Sequence, residues 1–324
     1  PAPETVLRPH RSGFVEWAAD KPEVLVLSAD LTSSCEADLF RDTCPERFFS
    51  MGMAEQNMMG FAAGLAREGF TPFVHTFGVF VTRRPFDQVA MSIACPKLPV
   101  RLLGFLPGVT TPGGVTHQAI DDVALMRALP NMTVLACGDA TEVLAAPGLA
   151  QSVDGPVYVR MLRGEVPRLF RDPPVLGRLR ALSRGQDLCL VSSGICTAEA
   201  LAAAASLRSQ GVSVAHLHAF TLKPFDDPAL LDVIAGCGAV ITVENHSIIG
   251  GLGSAVAERM AEAGLGRRLV RLGMQDVWGH GASRRYLMRE FGLDAAAIVS
   301  AAAGLLGTTL TSHVRSEAAL ARRA

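Results

Sequence analysis

The sequence has no excess charge of either sign. Lys and Arg number 30 against 31 Asp and Glu, a formal net charge of −1. That balance leaves no electrostatic footprint for nucleic acid or for an anionic membrane surface. Long apolar runs are missing too: none approaches the ~18 residues that span a bilayer. The stretch 1–20 lacks the charged-then-apolar layout of a signal peptide. Paired cysteines are absent as well. The seven cysteines, at 35, 44, 95, 137, 189, 196 and 237, include no CxxC pair. An odd count without that spacing argues against a disulfide framework and against a metal cluster, so no metal ligand is assigned. Reduced thiols in the cytoplasm are the expected state.

What is present is a long, apolar chain. Its 324 residues are 49% hydrophobic, enough for two domains with buried cores. Short β-branched runs at 24–27, 71–76, 100–103 and 133–136 alternate with helical patterns at 55–67, 86–93 and 121–128, whose apolar positions recur at three and four. Arg and Pro break this rhythm across 163–184 (Pro167, Pro173 and Pro174 among them), which marks a linker. The alternation restarts with strands at 188–192, 212–217, 239–243 and 269–272 and helices at 197–209 and 253–263. Strands separated by helices imply an α/β fold of two domains, each a mainly parallel sheet flanked by helices. The expected boundaries are 1–165, a linker at 166–184, 185–310 and a solvated tail at 311–324, with a short helix possible beyond Thr308.

Three stretches carry candidate chemistry. Gly52-Met53-Ala54-Glu55-Gln56-Asn57 follows a strand-like 47–50 and puts Glu55 in a first helical turn, where an acid also serves simply to complement the helix dipole. Phe77-x-x-Phe80 runs on into Arg83, Arg84, Asp87 and Gln88; aromatics three apart on a helix are core residues in most proteins. Thr110 to Gln118 is a Gly/Pro loop delivering His117, with Asp121 and Asp122 at the next helix start. A loop histidine has no packing reason to be there.

In this order the stretches FFSMGMAEQNMMGFAAGLA (48–66), PFVHTF (72–77), RRPFDQ (83–88) and THQAIDDVALMRALPNMTV (116–134) resemble the pyrimidine-binding domain of transketolases. HAFTLKPFD (218–226) and VENHSIIGGLGSAVAE (243–258) resemble the C-terminal domain of the same family. The resemblance runs from about Arg11 to Leu293 and is strongest to the C-terminal subunits of two-chain transketolases. It implies thiamine diphosphate as cofactor. It implies that Glu55 hydrogen-bonds the pyrimidine N1′, where a shared proton favours the imino tautomer whose 4′-nitrogen takes the thiazolium C2 proton. Phe77 and Phe80 would line the pyrimidine pocket, Asp30 would lie near the cofactor, and Ser34 and Arg163 would contact a substrate phosphate. His117 would face the cofactor's reactive carbon and the donor carbonyl.

The family's GDG motif and following Asn, which hold the diphosphate and Mg²⁺, are absent. Gly138-Asp139-Ala140 lacks the second Gly, and Gly250-Gly251-Leu252-Gly253 suits close helix–strand packing. The resemblance therefore implies a partner: an N-terminal transketolase-like subunit carrying GDG…N and supplying the Mg²⁺ ligands, in an α2β2 heterotetramer. Gly113 stands where the family has an Asp that contacts a sugar hydroxyl. Phe105 stands where it has a histidine that helps hold a phosphate. Losing such a hydrogen bond costs about 1–3 kcal/mol, which points to an unusual sugar or sugar phosphate. Three readings stand at this point: ketol transfer between sugars; a 2-oxoacid dehydrogenase-type β-subunit passing a two-carbon unit to a lipoyl or carrier-protein thiol; and a subunit without catalysis. His75 could approach the cofactor or sit satisfied in the core. His216, His218, His246 and His280 receive no role, and Cys35 and Cys196 are expected to be packed thiols.

Overall fold

The structure, a computed structural model, describes residues 3–311. From residue 312 on, the expected tail and its short helix lie outside the described residues. The larger sheet has seven strands in the order Thr221–Lys223, Thr133–Ala136, Val157–Met161, Arg101–Phe105, Thr71–Phe77, Val24–Ser28 and Phe48–Ser50. All pair in parallel except Thr221–Lys223, which comes from the C-terminal half and adds antiparallel to Thr133–Ala136. A second sheet of five strands runs Arg268–Met274, Ala239–Ser247, Leu188–Ser192, Val214–His218 and Arg180–Ser183, parallel but for the last. Among the described residues, no helix is long and apolar enough to cross a membrane.

Burial on both faces explains why the central strands read as near-continuous apolar runs. Val24–Ser28, Thr71–Phe77, Arg101–Phe105 and Val157–Met161 are buried at every position. Successive side chains point to opposite faces. Leu27, Val74, Leu102 and Tyr158 meet Met58, Met59 and Ala62 of helix Glu55–Arg67. Val26, Phe73, Leu103 and Val159 meet Phe14 of helix Pro9–Ala18 and Val143 and Ala146 of helix Ala140–Gln151. In the second sheet, Leu190, Val214 and Ile241 pack under helices Cys196–Ser209 and Ala295–Leu306.

The segment expected to be an α-helix at 86–93 is instead one short turn, Phe86–Gln88, followed by a wider π-type helix, Val89–Ala94. The linker stretch is not irregular throughout. Glu165–Pro167 pairs antiparallel with Thr5–Leu7, and Arg180–Ser183 edges the second sheet.

Candidate active site

The residues given a site role by the resemblance lie at the carboxyl ends of parallel strands in the larger sheet or on the segments that follow them. Asp30 and Ser34 follow Val24–Ser28, and Glu55 follows Phe48–Ser50. Phe77 ends Thr71–Phe77 and Phe80 stands in the next turn, while His117 is on the loop after Arg101–Phe105 and Arg163 follows Val157–Met161. The chain steps outward from Val24–Ser28 to Phe48–Ser50, then returns to Thr71–Phe77 on the other side. That reversal opens a crevice between neighbouring strand ends, the place where open α/β sheets bind ligands.

Glu55 opens helix Glu55–Arg67 and is only 4% exposed. Its Oε1 accepts from Arg84 Nη1 at 2.7 Å. The Arg84 guanidinium lies 4.0 Å from the centre of the Phe80 ring. Phe80 stacks on Phe77 at 5.8 Å, and the His117 ring meets both edge-on, at 5.4 Å from Phe80 and 6.0 Å from Phe77. Thr116 Oγ1 sits 2.8 Å from His117 Nδ1 and orients the ring. Glu55, Phe80, Phe77 and His117 thus form one continuous group. Sequence reading missed its fifth member, Arg84, although the side chain lies inside a quoted motif.

The other candidates stand apart from that group. Asp30 takes a left-handed backbone (φ 55°) and accepts a long hydrogen bond from Ser50 Oγ, 3.5 Å. Arg163 donates to the backbone carbonyl of Ser34, so these two do come together. Gly113 is tightly enclosed: a Cβ there would lie 3.2 Å from the base of the His117 ring and from Thr111 Oγ1. Phe105 is fully buried and packs against His10 and His75 at 5.4 and 6.0 Å.

His75 is a core histidine. Its Nδ1 faces the Phe73 carbonyl at 3.1 Å, and a carbonyl can only accept, so Nδ1 carries the proton. His75 Nε2 therefore accepts from His10 Nε2–H at 2.9 Å, which leaves His10 Nδ1 unprotonated and unpartnered. Burial pushes His75 down to about 4, and burial plus the neighbouring imidazole push His10 well below 6.5. Unfolded histidines bind protons near 6.5. Between those values the unfolded chain holds more protons than the folded one, so stability falls as pH drops from 6.5. The slope reaches about 1.4 kcal/mol per pH unit for each histidine. A melting-temperature series is expected to decline steadily from about pH 7 to pH 5. A flat profile would mean that both rings take up protons in the fold as readily as in the unfolded chain.

The two glycine motifs are structural. Asp139 caps helix Ala140–Gln151 through Glu142 N and also accepts from Leu169 N and Phe170 N, all at 2.8 Å. At the Gly250–Gly253 motif, the Glu244 carboxylate accepts from Leu252 N and Gly253 N at 2.6 and 2.8 Å, so the protein's own anion fills that helix N-terminus. Cys35 and Cys196 are fully buried, and burial pushes both thiols up.

Arg84 tests what the Glu55 group can hold. A flat, delocalised cation already lies on Phe80 and gives an N–H to Glu55. A protonated aminopyrimidine presents the same combination of flat face and N–H, and Arg84, 47% exposed, has room to swing out. The residues fit the group.

Comparison with known proteins agrees. The profile for "Transketolase, pyrimidine binding domain" matches residues 10–168, and that for "Transketolase, C-terminal domain" matches 177–298. The chain belongs to the transketolase family. It is 41% identical over 292 residues to the 6-deoxy-6-sulfo-D-fructose transketolase subunit SqwH of Clostridium sp. (strain MSTE9), covering 89% of this chain and 90% of that one. A putative transketolase C-terminal section of Methanocaldococcus jannaschii is 37% identical over 290 residues, covering 88% and 91%. A solved structure described as a split gene transketolase, inactive beta4 tetramer, superposes with TM-score 0.83 at 40% identity, covering 92% of this chain and 97% of that one. This transketolase chain is thus a subunit of the split type.

Proposed function

We propose that this chain supplies the aminopyrimidine side of a thiamine diphosphate site completed by a second chain, and that the complex moves a two-carbon ketol unit from an unusual ketose to an aldehyde. The observation that carries the reading is Glu55: a carboxylate 4% exposed at a helix start, facing a flat cation stacked on Phe80. Bound there, the cofactor supplies the electron sink that lets the bond beside the donor carbonyl break. Glu55 holds the proton at the pyrimidine N1′. Phe77 and Phe80 would line the pocket for the ring, and Asp30, at the adjacent strand end, would lie near the cofactor. His117 donates a hydrogen bond to the donor carbonyl oxygen, where negative charge develops. Ser34 and Arg163 hold the far, anionic end of the substrate.

The partner is an N-terminal transketolase-like chain bearing GDG…N and the Mg²⁺ ligands, in an α2β2 assembly. The match to nearly the whole length of a split-gene transketolase chain and of the Clostridium subunit supports the assignment. Seven unbridged thiols support a cytoplasmic setting, and the domain boundaries follow the division at 165 and 185. For the donor, a 6-sulfo ketose is the specific candidate. The name of the Clostridium relative supports it, as do Gly113 and Phe105, which remove two polar contacts to an ordinary sugar phosphate.

A tagged pull-down from the native host tests the assembly, and a donor panel on the recovered complex tests the substrate. A stoichiometric GDG…N partner and cleavage of 6-deoxy-6-sulfo-D-fructose are expected. Ordinary efficiency with xylulose 5-phosphate and ribose 5-phosphate would overturn the unusual-sugar assignment. A co-purifying lipoyl or carrier domain would move the reaction to acyl transfer.

A further inference from the structure

We infer that Asn245, in the C-terminal domain, is a positioning residue for His117. This rests on the role of His117 proposed above. The C-terminal domain contributes none of the residues assigned to the site, yet it grips the loop carrying His117 at its neck and at its tip.

At the neck, the Asn245 amide bridges one strand of the loop. Its Nδ2 donates to the Pro107 carbonyl and its Oδ1 accepts from Val109 N, both at 2.9 Å. Gly108 between them has φ +55°, and a Cβ there would sit 2.2 Å from Asn245 Oδ1, so only glycine lets the amide in. The returning strand is tied to the same place. Gly108 N donates to the Ala119 carbonyl at 2.8 Å and Ser247 N to the Ile120 carbonyl at 2.7 Å. Arg160 Nη2 joins the Asn245 carbonyl, 2.9 Å, to the Ala119 carbonyl, 3.2 Å. At the tip, Gln118 Nε2 donates to the His280 carbonyl at 3.0 Å, and Gly114 packs against Gly281.

Between these grips the loop's own order is local: Thr110 Oγ1 donates to the Pro107 carbonyl at 2.8 Å, Gly113 N to Thr111 Oγ1 at 3.1 Å, and Val115–His117 forms one short turn. Thr116, Phe77 and Phe80 orient the ring locally, and the C-terminal domain fixes the position of the loop that carries it. Removing the Asn245 amide leaves the Pro107 carbonyl and Val109 N–H without that buried partner, and the neck relaxes. A misplacement of about 1 Å costs a catalytic group on the order of 10²-fold.

The test is a double-mutant cycle in the complex recovered with its partner, using carbon dioxide release from 3-hydroxypyruvate as the turnover probe. Asn245→Ala is expected to lower kcat about 10²-fold with KM nearly unchanged. In a His117→Ala background it should have almost no further effect. Hydrogen exchange at 108–119 should quicken while the strand 157–161 stays protected. Asn245→Asp keeps the acceptor for Val109 N but sets lone pairs against the Pro107 carbonyl. Its activity should recover as pH falls and the carboxyl gains a proton to donate. An equal loss in both backgrounds, or unchanged kcat and exchange, would overturn the inference. If His117→Ala alone leaves turnover intact, the role of His117 fails, and the exchange result still decides whether Asn245 orders the loop. Should Asn245→Ala not assemble, Gln118→Met releases only the tip and is read the same way.

Discussion

Glu55→Gln is expected to lower kcat on the order of 10²–10⁴-fold, the range for losing a positioned proton-holding group, while the subunit still assembles with its partner. The two side chains have nearly the same shape, and the amide oxygen can still accept from Arg84. The lost ion pair is weak, because Arg84 is 47% exposed and solvent screens it. What the amide cannot do is hold a proton. If Glu55 only complemented the helix dipole, the substitution would remove a few tenths to about 1 kcal/mol of stability and leave turnover alone. The expected result separates large kinetic damage from small structural damage. It is read as kcat of the recovered complex beside co-elution of the two chains. A kcat within tenfold of the unaltered complex, with assembly intact, would show that the proton is held elsewhere.

The parts of the fold that sequence reading found are those where burial alone writes the pattern. Strands such as Thr133–Ala136 and Leu188–Ser192 are short apolar runs in parallel sheets and appear at their expected positions. The central strand Val157–Met161 went unread because Tyr158 and Arg160 interrupt its apolar run. Their tolerance depends on Asp122, distant in sequence and adjacent in space. Helix Ala140–Gln151 was hidden by Pro147 and Gly148, breaker residues that tertiary packing of Val143, Ala146 and Ala150 overrides. Thr221–Lys223 sits in the C-terminal stretch yet pairs with the first sheet, a crossing that no local pattern records.

The site divides along the same line. Glu55, Phe77, Phe80 and His117 were legible because a family motif fixes their order. The contact between Arg84 and Glu55 was not, because it depends on how a short helix and a π-type turn orient one side chain. Asn245 lay within a quoted motif, but its partners are backbone atoms 136 and 138 residues away. Backbone donors and acceptors leave no mark in a sequence.

Asp122→Asn should destabilise the fold by about 3–5 kcal/mol. Asp122 is fully buried. Its Oδ2 accepts from Tyr158 Oη at 2.6 Å and Arg160 Nε at 2.7 Å, and its Oδ1 accepts from Arg160 Nη2 at 3.1 Å. Burial works against the Arg160 charge, but Asp122 more than offsets it, so the guanidinium holds its proton more firmly than in water. Burial and the same carboxylate push the Tyr158 hydroxyl well up, which keeps it a donor. An amide at 122 offers one acceptor where three donor contacts converge and leaves the buried cation without its hydrogen-bonded counter-charge, with only the weaker influence of Glu244 remaining. Set against a typical total stability of about 5–15 kcal/mol, the loss should appear as poor solubility or a melting temperature lower by roughly 5–15 °C. Replacing the ion pair with apolar residues of similar volume, Asp122→Leu with Arg160→Met, should recover part of the loss, as exchanged buried pairs often do. Recovery should stop short of full, because Arg160 also serves the Ala119 and Asn245 carbonyls. That bridge ties the neck of the His117 loop to the C-terminal domain, so the rescued protein should be stable and still slow. A fully active double variant would show that the loop does not need Arg160, and a melting temperature unchanged in Asp122→Asn would show that the buried cation finds its charge balance elsewhere.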